Sequence, residues 1–325
     1  MNKKLKTRLS LLLIVLALVI LPSAIARFTA KKSFNGSLNV NNHPCNTPPK
    51  TISSMGRSFT VNMCPPDFSK TAATKEGMFM AEDDYGESYY YRGVADNWLS
   101  FAGFYWRIIR INGDGSIRLI YSGTKSNNTG DGTQIGKSAY NPSNNEEKYA
   151  DYKISTVKNV VDNWYKTNIL GKGYDNKIAD TGYCNDMSMK STSDFGSWDR
   201  LEVNKAPTLK CPNKESNLLS KSNSKLTYPV GLLTHDEASF AGGVCPNVSY
   251  KENKKYYLYT GDWHWTMTPA HWDRYGVSAG IVDSDGALRG GYVNGLVGAR
   301  PVLSLNLSAI IASGDGTLNN PYVIN

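Results

Sequence analysis

The side chains best suited to chemistry lie in one run, residues 263–305, WHWTMTPAHWDRYGVSAGIVDSDGALRGGYVNGLVGARPVLSL. Trp263, Trp265 and Trp272, three of the seven tryptophans, fall within ten residues there. They are interleaved with His264, His271, Asp273 and Arg274, and Tyr275, Arg289, Tyr292 and Asn294 follow. Rigid rings mixed with charged groups give large contact area at low entropic cost, which is how binding surfaces are composed. Side chains alternate along a strand, so residues 263–267 should turn Trp265 and Met267 into a core and His264 and Thr266 the other way. Pro269 is expected to end that strand, leaving residues 270–275 as an exposed loop. Arg289 and Tyr292 should lie on a strand returning from the Asp285-Gly286 turn, with Asn294 in the next loop. If these loops gather on one side, His264, His271, Trp272, Asp273 and Arg274 form a ligand surface with Tyr275, Arg289, Tyr292 and Asn294. The competing reading is a solvated loop with scattered aromatics. Arg300, beside Pro301, is expected to be a structural ion-pair partner.

Other polar groupings have simpler explanations. Thr234-His235-Asp236-Glu237 has the spacing of a capping box, with Glu237 three residues after Thr234, and acids in a first helical turn suit the helix dipole. Asn112 and Asp114 lie in an Asn-Gly-Asp-Gly turn; the further ligands of a calcium loop are missing. The cysteines, at 45, 64, 184, 211 and 245, contain no Cys-x-x-Cys, and the four histidines are scattered, so no zinc pattern or other cofactor signature emerges. Sequence cannot fix a disulfide map. Proximity favours Cys45 with Cys64 and Cys184 with Cys211, leaving Cys245 free or competing.

The chain opens with Lys3, Lys4, Lys6 and Arg8, followed by an uncharged apolar stretch over residues 9–26. Residues 1–27 therefore read as a signal sequence or a membrane anchor. Pro22 and Ala24-Ile25-Ala26 suit cleavage; Arg27, Lys31 and Lys32 suit retention. Either exports the rest of the chain into a setting where disulfides are permitted. The net charge of +8 comes from 36 basic and 28 acidic residues. Most of that excess lies near the amino terminus, as the positive-inside rule expects, and the remainder is close to neutral. It carries no footprint for nucleic acid.

The elements that must position these groups are α+β in pattern. Residues 28–75, rich in Asn, Pro, Ser, Thr and Lys, read as a stalk or linker, and residues 76–325 as one domain. Strands are expected at 88–93, 101–111 and 116–121, the last two joined by the Asn112–Gly115 turn. Residues 154–169 carry a helical period ended by Gly171, and a short helix should run from Thr234 to Gly242-Gly243. Strands follow at 256–260, 263–267, 277–282, 287–293 and 301–307. Residues 123–150 and 172–225 read as loops.

Three segments resemble an uncharacterised family of bacterial exported proteins with a C-type-lectin-like domain: EDDYGESYYYRGVADNWLSFAGFYWRIIRINGDGSIRLIY, LTYPVGLLTHDEASFAGG, and the 263–305 run with its WTMTP, SDG and GARPV signatures. The resemblance covers about residues 76–325 and implies antiparallel strands, two helices and long loops. Its last segment is also similar to that of retroelement-diversified variable proteins, which bind ligands through a carboxy-terminal surface. Arg289-Gly290-Gly291 resembles a motif of formylglycine-generating enzymes, but Gly298-Ala299-Arg300 follows too soon and the copper-binding cysteine pair of that group is missing. The sugar motifs Glu-Pro-Asn and Trp-Asn-Asp of calcium-dependent lectins are absent as well, although Asp283 and Asp285 remain candidates for holding an ion weakly. The expectation is a non-catalytic, membrane-tethered module that binds an extracellular protein, glycan or wall component. A formylglycine-generating or wall-modifying enzyme is the second reading and a structural surface protein the third.

Overall fold

A computed structural model of the protein describes residues 45–245 and 254–324. The export segment expected over residues 1–27 lies outside them. Eighteen strands and three helices are found among the described residues. The first strands are β1 (Lys50–Ser54), β2 (Arg57–Asn62), β3 (Gly77–Asp83), β4 (Gly86–Arg92), β5 (Trp98–Phe101), β6 (Phe104–Ile111) and β7 (Ile117–Tyr121). Short strands β8 (Lys137–Ser138), β9 (Ile178–Ala179), β10 (Tyr183–Cys184) and β11 (Asn217–Leu218) punctuate the middle. The last block is β12 (His264–Asp273), β13 (Gly276–Val282), β14 (Leu288–Tyr292), β15 (Val297–Gly298), β16 (Val302–Leu305), β17 (Ile311–Ser313) and β18 (Tyr322–Ile324). The helices are α1 (Thr156–Asn168), the single turn α2 (Gly196–Trp198), which runs into a π-turn at Asp199–Val203, and α3 (His235–Ala241).

The larger sheet runs β1-β2-β3-β4-β6-β5-β18-β17, with β7, β16 and β9 added beside β6. It curls into a half-barrel: the Ile311 amide on β17 donates to the Met55 carbonyl in the β1–β2 turn at 3.4 Å. The smaller sheet runs β14-β13-β12-β15-β8. Trp106, Ile108 and Leu119 from the first sheet and Trp265, Met267 and Ala279 from the second enter one hydrophobic core. Helix α1 begins as its sequence requires. The Ser155 side chain accepts from the Lys158 amide, and Val157 and Val161 are buried in the core. Trp164 packs edge-on to Trp106 and Tyr121, so it is a core residue.

Three expectations need correction. The stretch read as a stalk is not irregular from Lys50 onward. Strands β1 and β2 form a hairpin, and β2 runs parallel to β3. The compact unit accordingly begins at Asn46. Its turn is Met55-Gly56, both with positive φ (54° and 75°), the backbone that matches strand twist. Residues 256–260 do not form a strand. Tyr256, Tyr257 and Leu258 are buried in irregular backbone that two arginines hold. Arg300 Nη1 donates to the Leu258 carbonyl, and Arg107 lies 5.3 Å from the Tyr257 ring centroid. Arg300 itself shows no ion pair among the described residues. It is buried and donates to the Tyr121 and Leu258 carbonyls, tying β7 to that segment.

Candidate functional site

Strand β12 passes straight through Pro269. Proline cannot donate to a sheet ladder, and the strand accommodates it with shifts of register between Trp265 and Pro269 and again between Pro269 and Trp272. The outer edge of the strand is satisfied elsewhere: the Phe195 amide donates to the Ala270 carbonyl, and the Trp272 amide to that of Ser193. Residues 270–273 are therefore strand, and only Arg274 and Tyr275 bridge to β13. The expected loop is a hairpin tip.

That tip is rigid. Asp273 Oδ1 accepts the Tyr275 amide at 2.8 Å, and Asp273 Oδ2 accepts the Tyr292 hydroxyl from β14 at 2.9 Å. Burial pushes the Asp273 carboxyl up, but these two hydrogen bonds, with nearby His271 and the Gly276 amide, hold the group below its ordinary value. The Arg274 guanidinium lies 4.7 Å from the Tyr275 ring centroid. Behind the tip, the Asn144 side-chain amide donates to the Tyr275 carbonyl. Gly276 leaves room for this contact, since a Cβ there would stand 2.3 Å from Asn144 Nδ2. Trp272, Asp273, Arg274, Tyr275 and Gly276 form a shallow groove with Asn145. Tyr275 is 62 % exposed and Tyr292 38 %.

One face of β12–β13–β14 is lined by histidines seated on glycines. Gly280 and Gly290 are paired across β13 and β14. A Cβ on Gly280 would stand 2.7 Å from His235 Cγ, and one on Gly290 2.5 Å from His271 Cε1. The Trp198 ring contacts both imidazoles, at 6.2 Å and 5.0 Å between centroids. His235 is completely buried, and neither ring nitrogen makes a well-formed hydrogen bond among the described residues. Burial, with Arg200 and His271 nearby, pushes its pKa down from 6.5 to about 3. The unfolded chain takes up a proton there that the folded chain refuses, so this contribution to stability is whole above pH 6.5 and is lost progressively toward pH 3. His264, depressed by burial and by Arg300, acts in the same direction. The thermal midpoint should therefore fall from pH 7.5 to pH 5, and His235→Gln should flatten that slope. An equal slope in the variant would refute the assignment.

The expected ligand residues divide into groups. Trp272, Asp273, Arg274, Tyr275 and Tyr292 come together at the tip, with His271 beneath them and 25 % exposed. Asn294 is exposed in the loop after β14. Arg289 points to the opposite end of the hairpin, where it grips the β13–β14 turn: Nη1 and Nη2 bind Asp285 at 2.8 and 2.9 Å, and Nη1 also binds Asp283. The same clamp accounts for Asp283 and Asp285 as partners of a guanidinium. His264 is not on the surface. It is fully buried, because the face of the sheet opposite Trp265 is covered too.

The most charged interior site went unread in the sequence. Glu237, whose backbone and side chain complete the capping box with Thr234, also faces Arg118 at 2.5 Å and Arg110 at 3.3 Å. Arg110 in turn lies 3.5 Å from Asp83, and Arg200 joins Asp186 to Asp236, both at 2.8 Å. The cavity they enclose is about 30 Å³, room for one or two waters. Trp198 and the seating glycines were also missed. Glycines inside strands often mark a close approach, and that signal was present at Gly280 and Gly290. Cys184 and Cys211 form a disulfide, as do Cys45 and Cys64. Cys245 is buried and free, its thiol pushed far up by burial. Comparison with known proteins gives no match: no family model fits the chain, and no curated protein or solved structure matches it.

Proposed function

We propose that this is an exported, membrane-tethered surface protein whose C-type-lectin-like domain binds an extracellular protein or glycan without catalysing a reaction. The observation that carries this reading is the β12–β13 tip. Trp272, Asp273, Arg274 and Tyr275 converge there with Tyr292 from a third strand; Asp273 accepts from Tyr275 and Tyr292, and Arg274, Tyr275 and Tyr292 are exposed while Trp272 is half-buried against the core. A preorganised aromatic surface loses little entropy on binding. Two disulfides support an oxidising compartment, and the basic and apolar amino-terminal sequence supports export. The cysteines weigh against the formylglycine-generating alternative: two pairs are in disulfides and the fifth thiol is held protonated.

A glycan array and a pull-down from extracellular material, read for wild type, Trp272→Ala and Tyr275→Ala, test this. Each substitution should weaken binding by about 2 kcal/mol, ~30-fold, with an unchanged thermal midpoint for Tyr275→Ala. Trp263→Ala, exposed at the far end of β12, should leave binding intact. Equal losses in all three variants, or none, would refute the tip as the binding surface.

A further inference from the structure

We propose that His271 is a proton-operated contact in this surface: on taking up a proton, its Nε2–H is drawn onto Asp273 and displaces the Tyr292 hydroxyl from the same carboxylate oxygen, so that the tip has one arrangement with His271 neutral and another with it charged. The regulatory meaning rests on the binding reading above. The geometry is already close. Nε2 lies 4.0 Å from Asp273 Oδ2, the oxygen that accepts from Tyr292 at 2.9 Å. A displacement of about 1 Å would make an N–H···O bond between two ions, where the phenol–carboxylate bond it competes with has charge on the acceptor alone.

The ring is packed on two sides. Trp198 lies on it at 5.0 Å, the Gly290 backbone closes another side, and Nδ1 is buried without a hydrogen-bond partner among the described residues. The charged and titratable groups facing it can be named element by element. Asp273 lies on its own strand. Asp194 lies on the segment bridged to β12 at His271 itself. From β14 comes Tyr292. From α3 comes His235, which stays neutral through the working range, and α2 contributes only the uncharged Trp198. Arg200, near His235, is already held by Asp186 and Asp236. A proton on His271 would thus be favoured by two carboxylates and opposed by burial. Burial is the larger effect and places the transition on the acid side of the ordinary imidazole value.

The test is a side-chain NMR titration of the full chain in mild detergent, labelled with ¹⁵N-His and ¹³C-Tyr. His271 and Tyr292 are assigned through His271→Gln and Tyr292→Phe. The Tyr292 ring signals should move with the His271 midpoint. They should stay flat across that range in His271→Gln. Tyr292→Phe keeps the ring but removes the competing hydroxyl, and should shift the His271 midpoint upward. The proposal is overturned if Tyr292 is flat while His271 titrates, if Tyr292→Phe leaves the midpoint in place, or if the chain unfolds before His271 titrates. No ligand enters this measurement, so it stands or falls separately from the array and pull-down.

Discussion

Glu237→Ala is expected to lower the unfolding free energy by about 3–5 kcal/mol, the cost of removing one partner from a buried ion pair. Glu237, Arg110 and Arg118 have side chains 3 %, 7 % and 1 % exposed. Burial pushes the carboxyl up, and Arg118 and Arg110 outweigh it to keep the group charged. The alanine leaves the two buried guanidiniums with Asp83, which lies 3.5 Å from Arg110 and already accepts from the Tyr85 and Gly113 amides. Loss of the Glu237 half of the capping box, its bond to the Thr234 amide, is the smaller part of this, because Thr234 still caps the helix. Glu237→Gln separates the two contributions, because an amide oxygen still accepts from the Thr234 amide, now at 2.8 Å from Oε2, but carries no charge. Denaturant unfolding should find Gln nearly as damaging as Ala. If Gln restores wild-type stability, capping is the whole role of the residue and the network adds nothing.

The second large effect is expected from the Cys184–Cys211 disulfide. It closes a loop of 27 residues, and the chain-entropy model assigns such a closure about 3–4 kcal/mol. Little regular structure holds that loop: β10 and β11 pair over only two positions. The loop also carries Asp186 and Arg200, so loosening it opens the charged interior beside α3. The Cys184→Ser, Cys211→Ser double variant should unfold at clearly lower denaturant than wild type. Its midpoint should be far less sensitive to dithiothreitol, the Cys45–Cys64 bridge being all that is left to reduce. A wild-type midpoint indifferent to reductant would show that the loop is held by its contacts alone.

Elements set by local rules were legible in the sequence. The Ser155-capped helix α1, the capping box of α3 and the β6–β7 hairpin each declare themselves within a few residues. The failures have a common cause, in that distant groups decide the outcome. Strands β1 and β2 bury only Ile52, Phe59 and Val61, too few apolar positions to stand out from a polar linker, and their turn depends on a positive φ at Met55 that composition does not advertise. Tyr256, Tyr257 and Leu258 have strand propensity, yet Arg107 and Arg300 take their contacts. A surface position for His264 requires a sheet covered on one side only, whereas its second side is covered, by α3 at Gly280 and with Arg300 near His264. The tip residues were identified because aromatic and charged types concentrate there. That Arg289 would turn to the far end followed from its register opposite Ile281, which sequence alone does not fix.

The pairing of β18 with β5, Tyr322 beside Leu99 and Val323 beside Ser100, sets an order of events during synthesis. Strands β3 to β7 are joined by short turns and can assemble as soon as they emerge. The free edge of β5 has no neighbour until residues 322–324 have been made, and β17, which reaches back to the β1–β2 turn, is held in place through β18. Contacts of such long sequence separation form late and slowly. The half-barrel is thus closed by contacts between distant parts of the sequence, and β5 gains its second neighbour only when β18 pairs with it.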